Sequence, residues 1–273
     1  MNDHRQTESG SLREEYLHKR KVQSIRVHGL RWAVLILWLV LWEILTVKGI
    51  LNPFIFSSPS RIIKTLIRLT QSGELWLHAG TSVLETVAGF LCGTALGIII
   101  AALLWWNPTA AKVLDPYLVV LNALPKTALG PVFIVCMGAG EGAIITMSLA
   151  ISLIVTILTV LNGFNHTDQE KVTLMKTLGA TRMQIFRKLV IPSNLTTIVN
   201  VVKVNIGLSW VGVITGEFLV SRAGLGYLIV YGSQVFKMDL VMTSVVILAF
   251  WAMLMHFGIV IIEKSVRKKF GIV

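Results

Sequence analysis

The sequence predicts an all-α membrane protein with six transmembrane helices, and three observations support that class. Hydrophobic residues make up 54% of the 273-residue chain against 14% charged, and the mean hydropathy is +0.73, a balance that a soluble domain of this length does not have. The apolar residues gather into runs of roughly 20, the length an α-helix needs to cross a hydrocarbon layer about 30 Å thick. The basic residues behind a formal charge of +11 flank these runs instead of forming an aromatic-interleaved patch. The charge therefore points to membrane topology and not to nucleic acid.

Residues 1–31 are polar, carry Arg5, Arg13, Lys19, Arg20, Lys21, Arg26 and Arg31, and read as a mobile cytoplasmic tail. The first span, at about 32–51, follows a leader too long and polar for a signal peptide, so it reads as an uncleaved anchor. An interfacial helix completes the region 32–80. Between 60 and 77, Ile62, Ile63, Leu66, Ile67 and Leu69 are interleaved with Arg61, Lys64 and Arg68, a pattern that lies on a bilayer and does not cross it. Five further spans, at about 81–106, 114–135, 142–161, 194–220 and 241–262, form a core over 81–263, and 264–273 is a basic C-terminus. With the N-terminus inside, seventeen Lys and Arg residues fall on the inner side and six on the outer. The positive-inside rule then places both termini and the loop at 166–192 in the cytoplasm.

That loop, HTDQEKVTLMKTLGATRMQIFRKLVIP, predicts two short helices. Thr167 and Glu170 have capping-box spacing, Gly179 supplies a left-handed stop, Thr181 and Gln184 repeat the box, and Pro192 ends or bends the second helix. Val172, Met175 and Leu178 give the first helix an apolar face, and Met183, Phe186 and Leu189 do the same for the second. Lys171, Lys176, Arg182, Arg187 and Lys188 leave the remainder basic. A capped, ordered segment of this kind between spans implies coupling to a soluble partner.

Gly179 followed by nine residues and then Leu189, Val190, Ile191 and Pro192 resembles the cytoplasmic signature of permease subunits of binding-protein-dependent ABC importers. That signature reads E-A-A, three residues, G, nine residues, I-x-L-P. Here Thr173, Leu174 and Met175 stand where E-A-A would fall, and Glu170 lies three residues too early. The resemblance extends through PSRIIKTL, LETVAGFLCGTALGI, LDPYLVVLNALPKTALGPVFIV and GLSWVGVITGEFLVSRAGLGYLI. It covers the chain from about residue 57 to the C-terminal region and is similar to the type I subfamily that imports nitrate, sulfonates, taurine and some vitamin precursors. The resemblance implies a multi-pass permease of the bacterial inner (plasma) membrane. It also implies a second permease copy, ABC ATPase subunits on the cytoplasmic side, an extracytoplasmic substrate-binding protein, and a small solute as substrate, either an anion such as a sulfonate, taurine or nitrate or a vitamin precursor. The residues expected at the ATPase contact are Glu170, Met175, Leu178, Gly179, Ala180, Thr181, Met183, Phe186, Leu189 and Pro192.

The chain has no G-x-x-x-x-G-K-S/T phosphate loop, no H-E-x-x-H and no G-x-S-x-G, so it reads as neither an ATPase nor a hydrolase. ATP and magnesium are expected in the partner ATPase, with no cofactor in this chain. The alternative from another class is a stand-alone six-span secondary transporter or channel, which needs an internal ion-coupling site and no soluble partner. Cys92 and Cys136 read as small core residues and not as a disulfide or metal site.

Polar groups within spans are costly, so each needs a protein or water partner. Glu43, Lys126 and Lys203 are the deepest by position, and they fit internal ion pairs or, for the lysines, attraction of an anionic substrate. In the fifth span Thr196, Asn200, Lys203 and Gly207 form one stripe, while Asn205, Ser209, Gly212 and Gly216 form a second on the opposite side. The second stripe fits either small-residue helix packing or a substrate path. Glu217, near the outer interface, fits a structural cap, an ion pair or a substrate contact. Pro125 and Pro131 interrupt the third span around Lys126, Thr127 and Gly130, as in a helix broken beside a cavity or a simple packed kink.

Overall fold

The computed structural model describes the backbone of residues 3–270 and the side chains of residues 20–265 other than 21, 22, 24, 25 and 28. Every regular element among the described residues is helical. The chain divides into two compact units, 1–64 and 65–273.

In the first unit α1 (Asp3–Val47) is a single 45-residue helix. Residues 1 and 2 of the expected tail lie outside the described residues. From Asp3 onward the tail is helical and runs without a break into the apolar stretch Gly29–Val47. The leader has no proline, so no missing N–H breaks the helix of the span as it continues back through it. A short α2 (Pro53–Phe56) begins at Asn52, whose side chain accepts the Phe54 N–H at 2.9 Å. Glu43 accepts the backbone N–H and the hydroxyl of Ser60 at 3.1 and 2.8 Å. Its carboxylate thus caps α3 (Pro59–Gln71), which is shorter than the helix expected at 60–77, because the chain turns at Gly73 and residues from Glu74 on belong to the next helix.

The second unit contains α4 (Glu74–Trp106), α5 (Pro108–Ala123), α6 (Gly130–Met137), α7 (Glu141–Asn165), α8 (Gln169–Thr177), α9 (Arg182–Ile185), α10 (Ile191–Ser193), α11 (Leu195–Val220), α12 (Leu225–Gln234) and α13 (Met238–Phe270). Five helices of the described chain, α1, α4, α7, α11 and α13, are long and apolar enough to cross a membrane, and α5 with the segment Lys126–Met137, bent by 91°, passes the same test only as a pair, as a broken span or a re-entrant loop. The break falls at Pro125. Its ring bars the helical conformation to the preceding residue, and Leu124 is extended at φ −64 and ψ 136. Pro131 does no such damage, because it sits in the first turn of α6, where its missing N–H has no helical partner to lose.

The core of this unit is a seam of small residues between α4, α7 and α11. On α4, Gly89, Gly93 and Gly97 recur every fourth residue, and a methyl on each would collide with Ser148, Ser152 and Thr156, which recur every fourth residue on α7. The hydroxyls do not need outside partners. Ser152 donates to Ser148 O at 3.0 Å, Thr156 to Ser152 O at 2.7 Å, and Ser148 crosses to Ser209 O of α11 at 3.2 Å. Buried Asn205 then clips the three helices together, donating to Thr94 Oγ1 at 2.8 Å and Thr156 Oγ1 at 2.7 Å. Cys92 lies off this packed face, and both Cys92 and Cys136 are exposed free thiols, not core residues.

Close approach of backbones makes the seam intolerant of added volume. A methyl at Gly212 would stand 2.5 Å from Ser148 Cα and 2.9 Å from its N, whereas nothing lies within 4 Å at Gly207. Gly212→Ala is expected to destabilise the purified protein by about 1–3 kcal/mol while Gly207→Ala leaves its thermal midpoint unchanged. Equal midpoints for the two variants would contradict the packing described.

Candidate functional site

The segment joining α7 to α11 is built from local signals, one of which the tertiary structure reassigns. Asp168, not Thr167, caps α8, accepting the N–H groups of Glu170 and Lys171. Thr167 is buried because its hydroxyl accepts the side-chain N–H of Asn194 at 2.9 Å, tying the start of the segment to its end. A hydrogen bond from Lys171 and those two amides hold Asp168 below the usual carboxylate range. The cap is thus fully formed above that range and is lost only as pH falls through the lowered value. Gly179 turns the chain at φ +79, and Thr181 and Gln184 form a complete capping box, with the Thr181 N–H donating to Gln184 Oε1 at 2.8 Å. Ahead of Pro192 the helix widens into a π turn over Phe186–Val190, the usual relief when a proline ring and its missing N–H disrupt the ladder.

Phe186 anchors this segment to the rest of the unit. Its ring lies 5.0 Å from that of Trp105, 5.4 Å from Trp106 and 5.6 Å from Phe164. Arg182 stacks over Trp105 at 5.3 Å and donates to Trp105 O at 3.0 Å. Ile185 and Val190 are buried in the same cluster as Leu104, Val160 and Leu161. The expected apolar face therefore splits. Phe186 points inward, Val172, Met175, Ala180 and Leu189 are half-buried against that cluster, and Leu178 (77% exposed) and Met183 (49%) project outward. Leu174, which stands inside the divergent E-A-A position, is 59% exposed and joins them. Glu170, Gly179, Thr181 and Pro192 are on the surface.

The polar residues of the spans fall in three places. Lys203 pairs with Glu263 of α13 at 2.9 Å, and half-buried Lys126 donates to Asn122 O at 2.9 Å. Thr196, Asn200 and Gly207 lie on an exposed face of α11. Asn205, Ser209, Gly212 and Gly216 lie within the seam, so the two stripes do meet different surroundings.

Glu217 is enclosed, and it holds the start of α12. It accepts the Ser82 hydroxyl and the Gly226 N–H, each at 2.5 Å. Ser82 Oγ accepts the Leu225 N–H at 2.8 Å, and His78 Nδ1 accepts that of Gly224 at 3.0 Å. Three N–H groups that a helix start leaves free are thus satisfied by side chains of α4 and α11. Glu85, also on α4, is 4% exposed, and neither carboxylate oxygen has a hydrogen-bond partner among the described residues. Sequence reasoning passed over it, although an ionisable residue within the apolar run LETVAGF carried the signal.

These features define a multi-span membrane protein with an ordered, partly apolar platform between two of its spans. The chain belongs to the family of binding-protein-dependent transport system inner membrane components, whose model matches residues 93–270. It is an ABC transporter permease. It is 25% identical over 230 residues to the putative aliphatic sulfonates transport permease protein SsuC of Bacillus subtilis, covering 84% of this chain and 83% of that one. It is 22% identical over 270 residues to the taurine transport system permease protein TauC of Escherichia coli, covering 95% and 98%. Its fold is similar to a chain in inward-facing structures of the MetNI methionine ABC transporter, with a TM-score of 0.60 at 20% identity over 68% of this chain and 93% of that one.

The division of the segment into anchor and platform is measurable. Phe186→Ala is expected to cost about 3–5 kcal/mol, and Leu174→Ala to stay within about 0.5 kcal/mol of wild type, in thermal denaturation of the solubilised protein. Comparable losses would mean that Leu174 is packed and not exposed.

Proposed function

We propose that this permease works as a pair of identical copies, with segment 166–192 in the cytoplasm as the platform for an ABC ATPase and an extracytoplasmic binding protein delivering substrate at the opposite end. The observation that carries this reading is the exposure of Leu174, Leu178 and Met183 around the Gly179 turn, on a segment whose inner side is fixed by Phe186. Exposed apolar side chains on a rigid, otherwise basic platform suit a helix-in-groove contact. The platform extends over Glu170, Gly179 and Thr181, while Met175, Ala180, Leu189 and Pro192 shape it from behind. ATP and magnesium act in the partner ATPase, and hydrolysis drives the permease between inward- and outward-open states that bind the ATPase differently.

The substrate is a small anionic solute of the sulfonate class. The names of two of the relatives support this. The pathway runs between the two copies along the exposed face of α11 that carries Thr196, Asn200 and Gly207, with Lys203 at its edge. Asn205, Ser209, Gly212 and Glu217 act as packing and capping residues beneath it, and Lys126 belongs to the break after α5.

Leu178→Asp tests the reading. It places a charge on an open surface, so the thermal midpoint of the permease is expected to hold while co-purification of the ATPase and uptake of sulfonate into vesicles fall at least tenfold, the equivalent of about 1.4 kcal/mol of lost contact. Normal ATPase binding and uptake in this variant would remove the platform from the mechanism.

A further inference from the structure

Where α3 turns into α4 and α12 turns into α13, the second unit holds a cleft of about 440 Å³. Arg68 and Lys237 line it, and among the described residues neither side chain has an ion-pair partner. Glu74 lines it too. His78 carries no proton on Nδ1, which accepts the Gly224 N–H, so the ring is neutral and the cleft has one net positive charge. Its wall is a stack of aromatic rings, with His78 5.8 Å from Tyr227 and Tyr227 5.9 Å from Tyr231.

Three of these four helices, α3, α4 and α13, form a second hollow of about 290 Å³ whose lining is wholly apolar, including Leu66, Leu75, Trp76, Val246, Phe250 and Trp251. Cleft and groove flank one core cluster, in which Leu69, Leu240 and Ile247 are buried and Leu66, Leu75 and Trp251 pack against them. Along α13 the cleft residue Leu240 precedes the groove residue Val246 by six positions, about 9 Å at 1.5 Å per residue. That is the scale separating a phospholipid phosphate from the upper carbons of its acyl chains.

We propose that cleft and groove together bind one anionic phospholipid, with its phosphodiester between Arg68 and Lys237 and the upper part of one acyl chain against Trp76, Phe250 and Trp251. A soluble anion would use the cleft alone, and a passing lipid tail would use the groove alone. Their juxtaposition fits an amphiphile, and one net positive charge matches one phosphodiester. Trp76 of the groove stands between Glu74 and His78 of the cleft along α4, and an amphipathic ring there suits the headgroup level. The site adjoins His78 and Tyr227, so the bound lipid braces the start of α12 that Glu217, Ser82 and His78 hold from below.

The test uses the purified transporter assembly, stripped of lipid and titrated with phosphatidylglycerol, with bound lipid counted by native mass spectrometry and the thermal midpoint recorded. Wild type is expected to retain phosphatidylglycerol and to gain stability from it. Arg68→Gln with Lys237→Gln is expected to weaken retention by about tenfold or more. Val246→Trp, which fills the groove and leaves both cations in place, is expected to weaken it as well, so the test survives misfolding of either variant. Unchanged retention in the folded variants would overturn the proposal. Stabilisation of wild type by inorganic phosphate alone would overturn it in favour of a solute-anion site. A change of oligomeric state in Val246→Trp with lipid retention intact would assign the groove to a second copy of the chain.

Discussion

The rest of the second unit depends on how closely α4 and α7 approach. In a bilayer, lipid tails are as apolar as leucine side chains, so helices gain little from hiding apolar surface from one another and must associate through packing and hydrogen bonds. Gly89, Gly93 and Gly97 remove side chains from one face of α4, and Ser148, Ser152 and Thr156 fill the resulting groove from α7. Most of these hydroxyls donate along their own helix, so they add small volume without unsatisfied polarity. Asn205 and the Gly212 and Gly216 face of α11 then fit the pair. Once α11 is placed, Glu217 stands where it can bind Ser82 of α4 and the first turn of α12.

The seam also explains how one end of the unit can act on the other. α4 and α7 end beside the aromatic cluster of Trp105, Trp106, Phe164 and Phe186, and Thr167 and Asn194 close the segment between α7 and α11 at its base. Leu174, Leu178 and Met183 therefore stand on a platform fastened to three packed helices. A push on such a platform moves the helices together, because packed interfaces shift between discrete arrangements and do not deform smoothly. Motion inside the unit is therefore the costly mode, and in the proposed pair of copies the cheap mode is motion of this unit against its counterpart.

Much of this was legible in the sequence wherever a short-range signal decided the matter. The apolar runs, the Gly179 turn, the box at Thr181 and Gln184, and the break at Pro125 rest on composition or on residues within one turn of each other. The errors arose where distant residues intervened. Thr167 has a capping residue's chemistry, but Asn194, 27 positions away, takes its hydroxyl and leaves the cap to Asp168. Phe186 shares helical spacing with Met183 and Leu189, yet the tryptophans at the end of α4 draw it inward, a contact that periodicity cannot reveal. The α4 glycine ladder lay in plain view in GFLCGTALG, but its meaning needed the matching hydroxyls on α7. Glu85 was missed for a related reason, since its burial and its closeness to Glu217 of α11 depend on residues far from it in sequence.

The central claim is that the second unit moves as one body, with the platform rigidly attached to α4. Spin labels at Leu178 and at exposed Leu103 of α4 report on that attachment within one copy, and a second pairing between the two Leu178 positions of an assembled transporter reports on the motion of the copies. The distance within a copy is expected to stay the same between nucleotide-free and nucleotide-trapped states while the distance between copies changes. A shift of the Leu178–Leu103 distance with a constant distance between copies would show that the segment flexes on its own, and would contradict the account.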